Sequence, residues 1–363
     1  MTEPSPVDVP ARAASADRQT FLYRLAIVTL SVLLFDLVIK VLRDFRVILQ
    51  PLFIAVFIGY LIMPVHRWLV LRGIPSVAAY ISILVIVLGS LFGVGTMVFR
   101  NVDQLSVRLP EYERNLDKML SGLVQFLPWE MPEAEEGLLR GILKANTSDQ
   151  TLTGAVQRML GNIFDFFTAL AVTFIYLIFL VAERISFPRR IALAFGETQG
   201  QHVMEVIAKI NNAIAQYISV KTFVSFVAGV WSTAVLAIFS VDFYLMWGML
   251  IFLLNFIPYL GSLVAVALPI MLSFVQFDVA WKGFVIAGCL IAIQQLIGTF
   301  IEPRMAGSKL GVSPLLILLA LSFWGVVWGI IGMILAVPLL MIAKIVLDNI
   351  QETKPVGTLL SNL

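Results

Sequence analysis

Residues 243–276 read FYLMWGMLIFLLNFIPYLGSLVAVALPIMLSFVQ, and this stretch decides the fold. It contains no charged residue, and about 20 apolar residues already suffice for a helix to cross a bilayer core. The stretch is therefore too long for one upright helix. Asn255, Pro258 and Gly261 lie inside it, and proline and glycine interrupt helices. In lipid, such a break survives only where the freed backbone groups meet protein, water or a ligand. The stretch therefore predicts a broken or hairpin helix.

A second long apolar block, 314–347, carries similar interruptions at Gly325, Gly329, Gly332 and Pro338. Six shorter apolar blocks complete the chain, at 21–39, 47–70, 74–99, 163–182, 214–240 and 279–301. We therefore expect an all-α, polytopic helical membrane protein with about eight transmembrane spans. Broken or hairpin helices should lie in its carboxy-terminal half, and an extramembrane helical segment should lie outside the bilayer.

The composition excludes a soluble globular protein. Of 363 residues, 60% are hydrophobic and only 13% are charged, whereas a soluble domain is about 25% charged. Most charges lie in a few segments, and these give the predicted organisation. It consists of a polar tail (1–20), three spans (21–99), an outward-facing amphipathic helical segment (100–160), a fourth span (161–182), a cytoplasmic amphipathic segment (183–213), a core with broken helices (214–347) and a tail (348–363).

Arginine and lysine favour cytoplasmic loops, and their positions predict the orientation of the chain. One side of the membrane receives Arg12, Arg18, Arg24, Arg67, Arg72, Arg184, Arg189, Arg190, Arg304 and Lys309. The opposite side receives Lys40, Arg43 and Arg46, which count against the assignment. The larger group predicts a multi-pass protein with a cytoplasmic amino terminus.

Both aqueous segments carry an apolar stripe at helical spacing. The outer stripe consists of Leu105, Leu109, Tyr112, Leu116, Met119 and Leu123, and Pro110 is expected to mark the start of its regular part. Such a helix either lies on the membrane surface or pairs with a neighbouring subunit. The inner stripe consists of Val203, Ile207, Ile210, Ile214 and Tyr217, and Lys221 occupies the next position at the same helical spacing. Lys221 either snorkels to the interface or lines a polar path.

Uncharged polar residues at membrane depth are candidate site residues. The amides are those of Asn211, Asn212, Asn255, Gln294 and Gln295. Buried amides either lock helices together or contact a solute, and their nearness to the broken helices favours a solute path. The predicted path therefore comprises these amides together with Lys221, Pro258 and Gly261. Asp36 and Lys40, in the first span, are expected to form a structural i, i+4 pair.

Signatures of catalysis and cofactor binding are absent from the sequence. No Gly-Lys dipeptide exists for a Walker A loop. His66 and His202 are the only histidines and lie far apart, so no catalytic or metal site is expected. The net charge of +2 and the apolar composition give no reason to expect a nucleic-acid partner. An unpowered polytopic protein with broken helices is typical of secondary transporters.

Four motifs in the carboxy-terminal half resemble those of the autoinducer-2 exporter family of permeases. They are NFIPYLG at 255–261 with Pro269, IEPRMAG at 301–307, LGVSP at 310–314 and FWGVVWGIIGMILAVP at 323–338. The resemblance implies a bacterial inner-membrane protein that exports a small polar solute, the quorum-sensing signal autoinducer-2. It also implies a homo-oligomer, with a pentamer as one candidate. Other members of the family are associated with sodium/proton exchange.

Glu302 and Arg304 flank Pro303 in the second motif, at the cytoplasmic end of a span. They could form an ion pair that opens and closes a gate, or they could anchor the loop. Three functions remain open from the sequence. They are a small-solute exporter or facilitator, a sodium or other cation/proton antiporter, and an oligomeric membrane scaffold without transport.

Overall fold

The computed structural model of the chain describes residues 8–124, 168–183, 186–277, 279–306 and 312–359. Its regular structure is helical. We number the helices α1 (Asp8–Asp44), α2 (Arg46–Leu71), α3 (Ser76–Val124), α4 (Thr168–Glu183), α5 (Phe187–Ile238), α6 (Tyr244–Leu254), α7 (Leu260–Gln276), α8 (Ala280–Leu296), α9 (Glu302–Ala306), α10 (Pro314–Asn349) and α11 (Lys354–Leu359). A π-helical turn, Ile297–Ile301, joins α8 to α9.

In the part of the chain that the structure describes, six helical segments are long and apolar enough to cross a membrane, which confirms a polytopic helical membrane protein. They are Leu22–Asp44, Arg46–Leu71, Ser76–Met97, Phe187–Ile238, Ala280–Met305 and Pro314–Asn349. The remaining two of the eight predicted apolar blocks correspond to the shorter helix α4 and to the pair formed by α6 and α7.

Helix α3 leaves its membrane span at Met97 and continues to Val124 without a break. The prediction that Pro110 interrupts this helix is wrong. Proline removes one backbone donor, and a long helix can tolerate this loss, as α2 does at Pro51 and Pro64. The rest of the predicted outer segment, 125–160, lies outside the described residues.

Helices α6 and α7 form a hairpin, as the opening stretch predicts. At its base, the Gln276 side-chain amide donates to the Ser240 carbonyl at 2.9 Å, and the Asp242 backbone N–H donates to Gln276 Oε1 at 2.8 Å. Both ends of the apolar stretch therefore meet at one end of the bundle. Helix α6 has 11 residues and so extends only about 16 Å, which places the tip at Asn255–Tyr259 near mid-membrane. We call this element hairpin 1.

Helix α10 reverses direction at Gly329, whose φ of 66° and ψ of −145° are not helical. A Cβ added to Gly332 would lie 2.0 Å from the Trp324 carbonyl oxygen, although these residues would lie about 12 Å apart in a continuous helix. Gly325 likewise approaches Met333. We call this element hairpin 2. Its base lies at the opposite end of the bundle, where Lys209 of α5 donates to Asn349 at 3.1 Å.

The two hairpins meet in the core. Ile257, at the tip of hairpin 1, packs with Leu321 and Ala336 from the two arms of hairpin 2. The tip of hairpin 2 continues past this contact to the junction of α1 and α2. There the Trp328 indole N–H donates to the Leu42 carbonyl, and Gln50 donates to the Trp328 carbonyl, each at 3.0 Å. The two tips therefore enter the protein from opposite ends and overlap in depth.

Candidate functional site

A buried polar stripe runs along α5 and connects the two halves of the membrane. Its members are the buried residues Lys221, Ser225 and Ser232 and the half-buried Tyr217, whose hydroxyl is buried. The spacings of four, four and seven residues place them on one face of the helix. From Tyr217 to Ser232 the helix rises about 22 Å, which covers most of a hydrocarbon core about 30 Å thick.

Lys221 forms an ion pair with Glu302, whose Oε1 lies 2.7 Å from the lysine Nζ. The lysine side chain is only 4% exposed and that of Glu302 is 31% exposed. Because the ammonium group is held inside the protein, the snorkelling alternative for Lys221 is wrong. This pair brings the α5 stripe into contact with the short helix α9.

The predicted ion pair between Glu302 and Arg304 is not the pair that the structure contains. Residues two positions apart on a helix do not face each other, and Arg304 is exposed, with its guanidinium 6.0 Å from the Phe300 ring centre. Pro303, between them, lies in the first turn of α9, where a proline is tolerated. Glu302 is therefore the residue of this motif that reaches the interior.

Asn255 brings the tip of hairpin 1 onto the same stripe. Its amide Nδ2 donates to Ser225 Oγ at 3.1 Å, and Asn255 is 4% exposed. Tyr259, after Pro258, has a positive φ of 60° and ends the turn. Gly261 then packs against the Leu254 carbonyl, where an added Cβ would lie only 1.8 Å from the oxygen. The break therefore presents an amide to α5 and leaves no room for a side chain at Gly261.

Two polar groups of the stripe are buried without a hydrogen-bond partner among the described residues. They are the Tyr217 hydroxyl and the Ser232 hydroxyl. Buried polar groups are normally paired with protein or with ordered water. The two hydroxyls, with the Asn255 and Lys221–Glu302 contacts between them, form a line of polar groups along α5.

The other predicted path residues lie apart from this line. Asn211 and Asn212 are exposed, and Asn211 Oδ1 accepts a hydrogen bond from Tyr60, so it links α5 to α2. Gln295 is exposed and lies 3.4 Å from Thr299 on its own helix. The Gln294 amide nitrogen is buried without a partner in the described part of the chain. The structure therefore brings together Lys221, Asn255 and Glu302, but not Asn211, Asn212 or Gln295.

Asp242 organises the end of the bundle at the base of hairpin 1, and sequence reasoning missed it. Its carboxylate accepts hydrogen bonds from Arg108 and from the Tyr112 hydroxyl, the latter at 2.7 Å. Both donors lie on the part of α3 beyond its membrane span. Asp242 is the acidic residue between two apolar blocks, and this isolated charge was the available signal.

Burial and the hydrogen bond to Asp242 together raise the pKa of Tyr112. A tyrosine with a raised pKa keeps its proton through neutral pH. The Tyr112 hydroxyl therefore remains a donor to Asp242, and its contribution to folding is lost only as the pH rises beyond the ordinary tyrosine value of about 10. The contact is a stable link between α3 and hairpin 1.

The sequence is similar to one family model and to several known proteins along most of its length. The family model described as "AI-2E family transporter" matches residues 25–352. A putative transport protein of Borreliella burgdorferi is 28% identical over 311 residues, which cover 85% of this chain and 83% of the relative. AI-2 transport protein TqsA of Escherichia coli is 27% identical over 318 residues, covering 87% of this chain and 90% of the relative. A putative transport protein of Haemophilus influenzae is 28% identical over 319 residues, with 87% and 90% covered.

Proposed function

The chain belongs to the AI-2E transporter family, and from this membership we propose that it exports a small polar solute along the buried polar stripe of α5. The protein is a multi-pass membrane transporter. The observation that carries the proposal is the meeting of Asn255 and Glu302 with this stripe. Broken helices place polar groups at membrane depth in the same way in other secondary transporters.

Autoinducer-2 is the solute that we propose. The name of the E. coli relative, an AI-2 transport protein, supports this choice. The groups along the stripe are amide and hydroxyl groups with one neutralised ion pair. Such groups suit an uncharged molecule that carries several hydroxyl groups, because each hydroxyl can both donate and accept.

The Lys221–Glu302 pair is the proposed gate. Pro303 and Arg304 follow Glu302 directly in the chain. While the pair is formed, it blocks the proposed path along the stripe on the side of the bundle where Asn349 lies. The π-helical turn Ile297–Ile301 directly precedes Glu302, and such turns are frequent at functional sites. A change in this turn would swing α9 and separate the carboxylate from the lysine.

The direct test is flux of autoinducer-2 in proteoliposomes that contain the purified full chain. Wild-type protein should carry the signal, and Glu302→Gln should reduce the initial rate at least tenfold. The substitution leaves the buried Lys221 ammonium without its counter-charge, and the gate can no longer close to complete the transport cycle. Arg304→Ala is the control, since Arg304 makes no contact with the pair, and it should retain most of the rate. Wild-type flux in Glu302→Gln would contradict the gate, and absence of flux in wild type would contradict the transport of this signal.

A cation/proton antiporter is the second candidate, and one observation favours it. Glu302 is a carboxylate inside the bundle, paired with a buried lysine, and intramembrane ionisable residues are common in proton relays. A pH-sensitive dye in the same proteoliposomes separates the two functions. Proton flux that depends on a sodium gradient and is lost in Glu302→Gln would favour the antiporter.

Family membership also supports a homo-oligomer in the bacterial inner membrane, with five subunits as one candidate and the amino terminus in the cytoplasm. The large apolar side chains of α1 between Leu22 and Val38 are exposed, so lipid or a neighbouring subunit covers them. If no solute or ion is carried while the oligomer stays intact, the remaining alternative is a membrane scaffold.

A further inference from the structure

An open cavity with a mixed polar and apolar lining lies between α3 and hairpin 1, at the end of the bundle opposite to Glu302. Its volume is about 380 Å³, and it is lined by the face of α3 that carries Thr96, Asn101, Gln104 and Arg108 and by the start of α6. Asn101, Gln104 and Arg108 are spaced three and four residues apart, which places them on one helix face. The volume lies at the lower end of the range for small-molecule sites, about 300–1,000 Å³. The cavity therefore has the size for one small solute.

The chemistry of the lining favours an uncharged, hydroxylated solute. Arg108 and Asp242 are paired directly in the wall of the cavity, so neither a cation nor an anion finds an unpaired charge there. The amides of Asn101 and Gln104 and the hydroxyl of Thr96 supply both donors and acceptors. Phe243 and Tyr244 add an aromatic wall, against which the apolar face of a sugar-like ring can pack.

One lining residue has an unmet hydrogen-bonding group. The Asn101 Nδ2 atom is buried and has no hydrogen-bond partner in the described ranges. A buried donor left unpaired is costly, and a rotation of the Asn101 side chain would turn this amide toward a solute oxygen in the cavity. Asn101 is therefore the lining residue whose substitution should affect a bound oxygen most.

The residues that line the cavity are also connected to hairpin 1, the element whose tip contacts the α5 stripe. Asp242 holds α3 through Arg108 and Tyr112, and its backbone N–H binds Gln276 at the base of hairpin 1. Asn255, at the tip of the same hairpin, lies on the α5 stripe. A solute in the cavity thus contacts both α3 and the hairpin that reaches the interior.

We propose that this cavity is a vestibule that binds the neutral, hydroxylated solute at the Asp242 end of the transport path. The inference rests on the proposed function for the identity of the physiological solute. The binding itself can be measured without transport, with D-ribose as a neutral probe and D-ribose 5-phosphate as its charged counterpart.

The first experiment measures binding of autoinducer-2, D-ribose and D-ribose 5-phosphate to the full chain in lipid nanodiscs by calorimetry. Autoinducer-2 and D-ribose should bind more tightly than the phosphate ester. Asn101→Leu keeps the side-chain shape, and Gln104→Leu replaces the amide with a slightly shorter apolar side chain. Each should weaken binding about tenfold, the loss expected for one hydrogen bond. Gln201 is an exposed glutamine of α5 and is not among the residues that line the cavity. Gln201→Leu is therefore the matched control and should bind like wild type.

A protection experiment gives a readout that does not depend on these variants. Leu245 lines the cavity, is exposed and carries no hydrogen-bonding side-chain group. In a Cys289→Ser background, Leu245→Cys should react with a maleimide more slowly when D-ribose or autoinducer-2 is present at saturation. Unchanged labelling would overturn the vestibule, as would tighter binding of the phosphate ester. Flux in proteoliposomes distinguishes the two proposals. If wild type carries autoinducer-2 while Asn101→Leu leaves the half-saturating concentration unchanged, the vestibule fails alone. Binding without flux would contradict the transport function alone.

Discussion

Gly261 is the residue on which the shape of hairpin 1 depends most directly. Its backbone conformation is helical, so its role is to leave space for the Leu254 carbonyl, 1.8 Å from where a Cβ would lie. Gly261→Ala should lower the free energy of unfolding by at least about 2 kcal/mol, since an inserted methyl group must displace backbone. Thermal unfolding of the purified protein in one detergent measures this change.

Gly288→Ala is the matched control for this substitution. Gly288 also lies inside a helix, α8, but nothing lies within 4 Å of an added Cβ. Alanine favours helix over glycine by about 1 kcal/mol, so this variant should be as stable as wild type or slightly more stable. Equal destabilisation by the two substitutions would show that Gly261 owes its effect to general helix packing, not to the hairpin.

Single residues could be predicted as polar groups at depth, but their partners could not. The prediction of Asn255 rests on the polar break that it makes in an apolar block, and that of Lys221 on its position after the apolar stripe that ends at Tyr217. Glu302 was predicted with the wrong partner, because Lys221 lies 81 positions earlier in the chain and no local pattern connects them. Asn211 and Gln295 were predicted to line the solute path, but both side chains are exposed. A polar residue in an apolar block can face outward, and periodicity alone does not identify the face.

At the scale of elements, the link between α3 and hairpin 1 is the contact with the clearest expected effect. Asp242→Asn removes the charge that pairs with Arg108 and weakens the acceptor for Tyr112. The base of hairpin 1 should open more often, so the backbone amides of Tyr244–Leu254 should exchange hydrogen faster in nanodiscs. Mass spectrometry of peptides from this helix measures the exchange.

Asp36→Asn is the control for this experiment. Asp36 pairs with Lys40 at 2.8 Å one turn along α1, and α1 packs on α2 and α10, away from the base of hairpin 1. Exchange in α6 should stay at the wild-type rate. If Asp242→Asn also leaves it unchanged, Arg108 and Tyr112 do not hold the hairpin.

The elements themselves were largely predictable, but their directions were not. Asn255, Pro258 and Gly261 correctly predicted where hairpin 1 breaks, because few residue types tolerate such a turn. Whether the chain then turns back or continues across depends on Gln276 meeting Ser240 and Asp242, a contact between distant residues. Pro110 gave a false boundary, since one missing donor does not end a helix that neighbouring residues support.

For the whole molecule, the bundle has two ends whose cellular sides follow from the predicted orientation. Glu111 lies on the extension of α3, at the Asp242 end, and Glu352 follows α10 at the other end; both are exposed. Cys289 is the only cysteine, so Cys289→Ser gives a background for labelling. In intact cells, a membrane-impermeant maleimide should label Glu111→Cys and should label Glu352→Cys only after lysis. The opposite pattern would invert the orientation.

Hairpin 1 also affects the number of times that the chain crosses the membrane, and therefore the side on which α8 begins. Its 34 residues, 243–276, are apolar enough to cross the bilayer, yet the chain returns to the end it left and adds no crossing. Had the stretch crossed once, α8, α9 and hairpin 2 would all be inserted upside down. Glu302 would then emerge at the wrong end of α5, far from Lys221. The side of the membrane on which the final quarter of the chain folds is therefore determined by a turn of five residues, Asn255 to Tyr259.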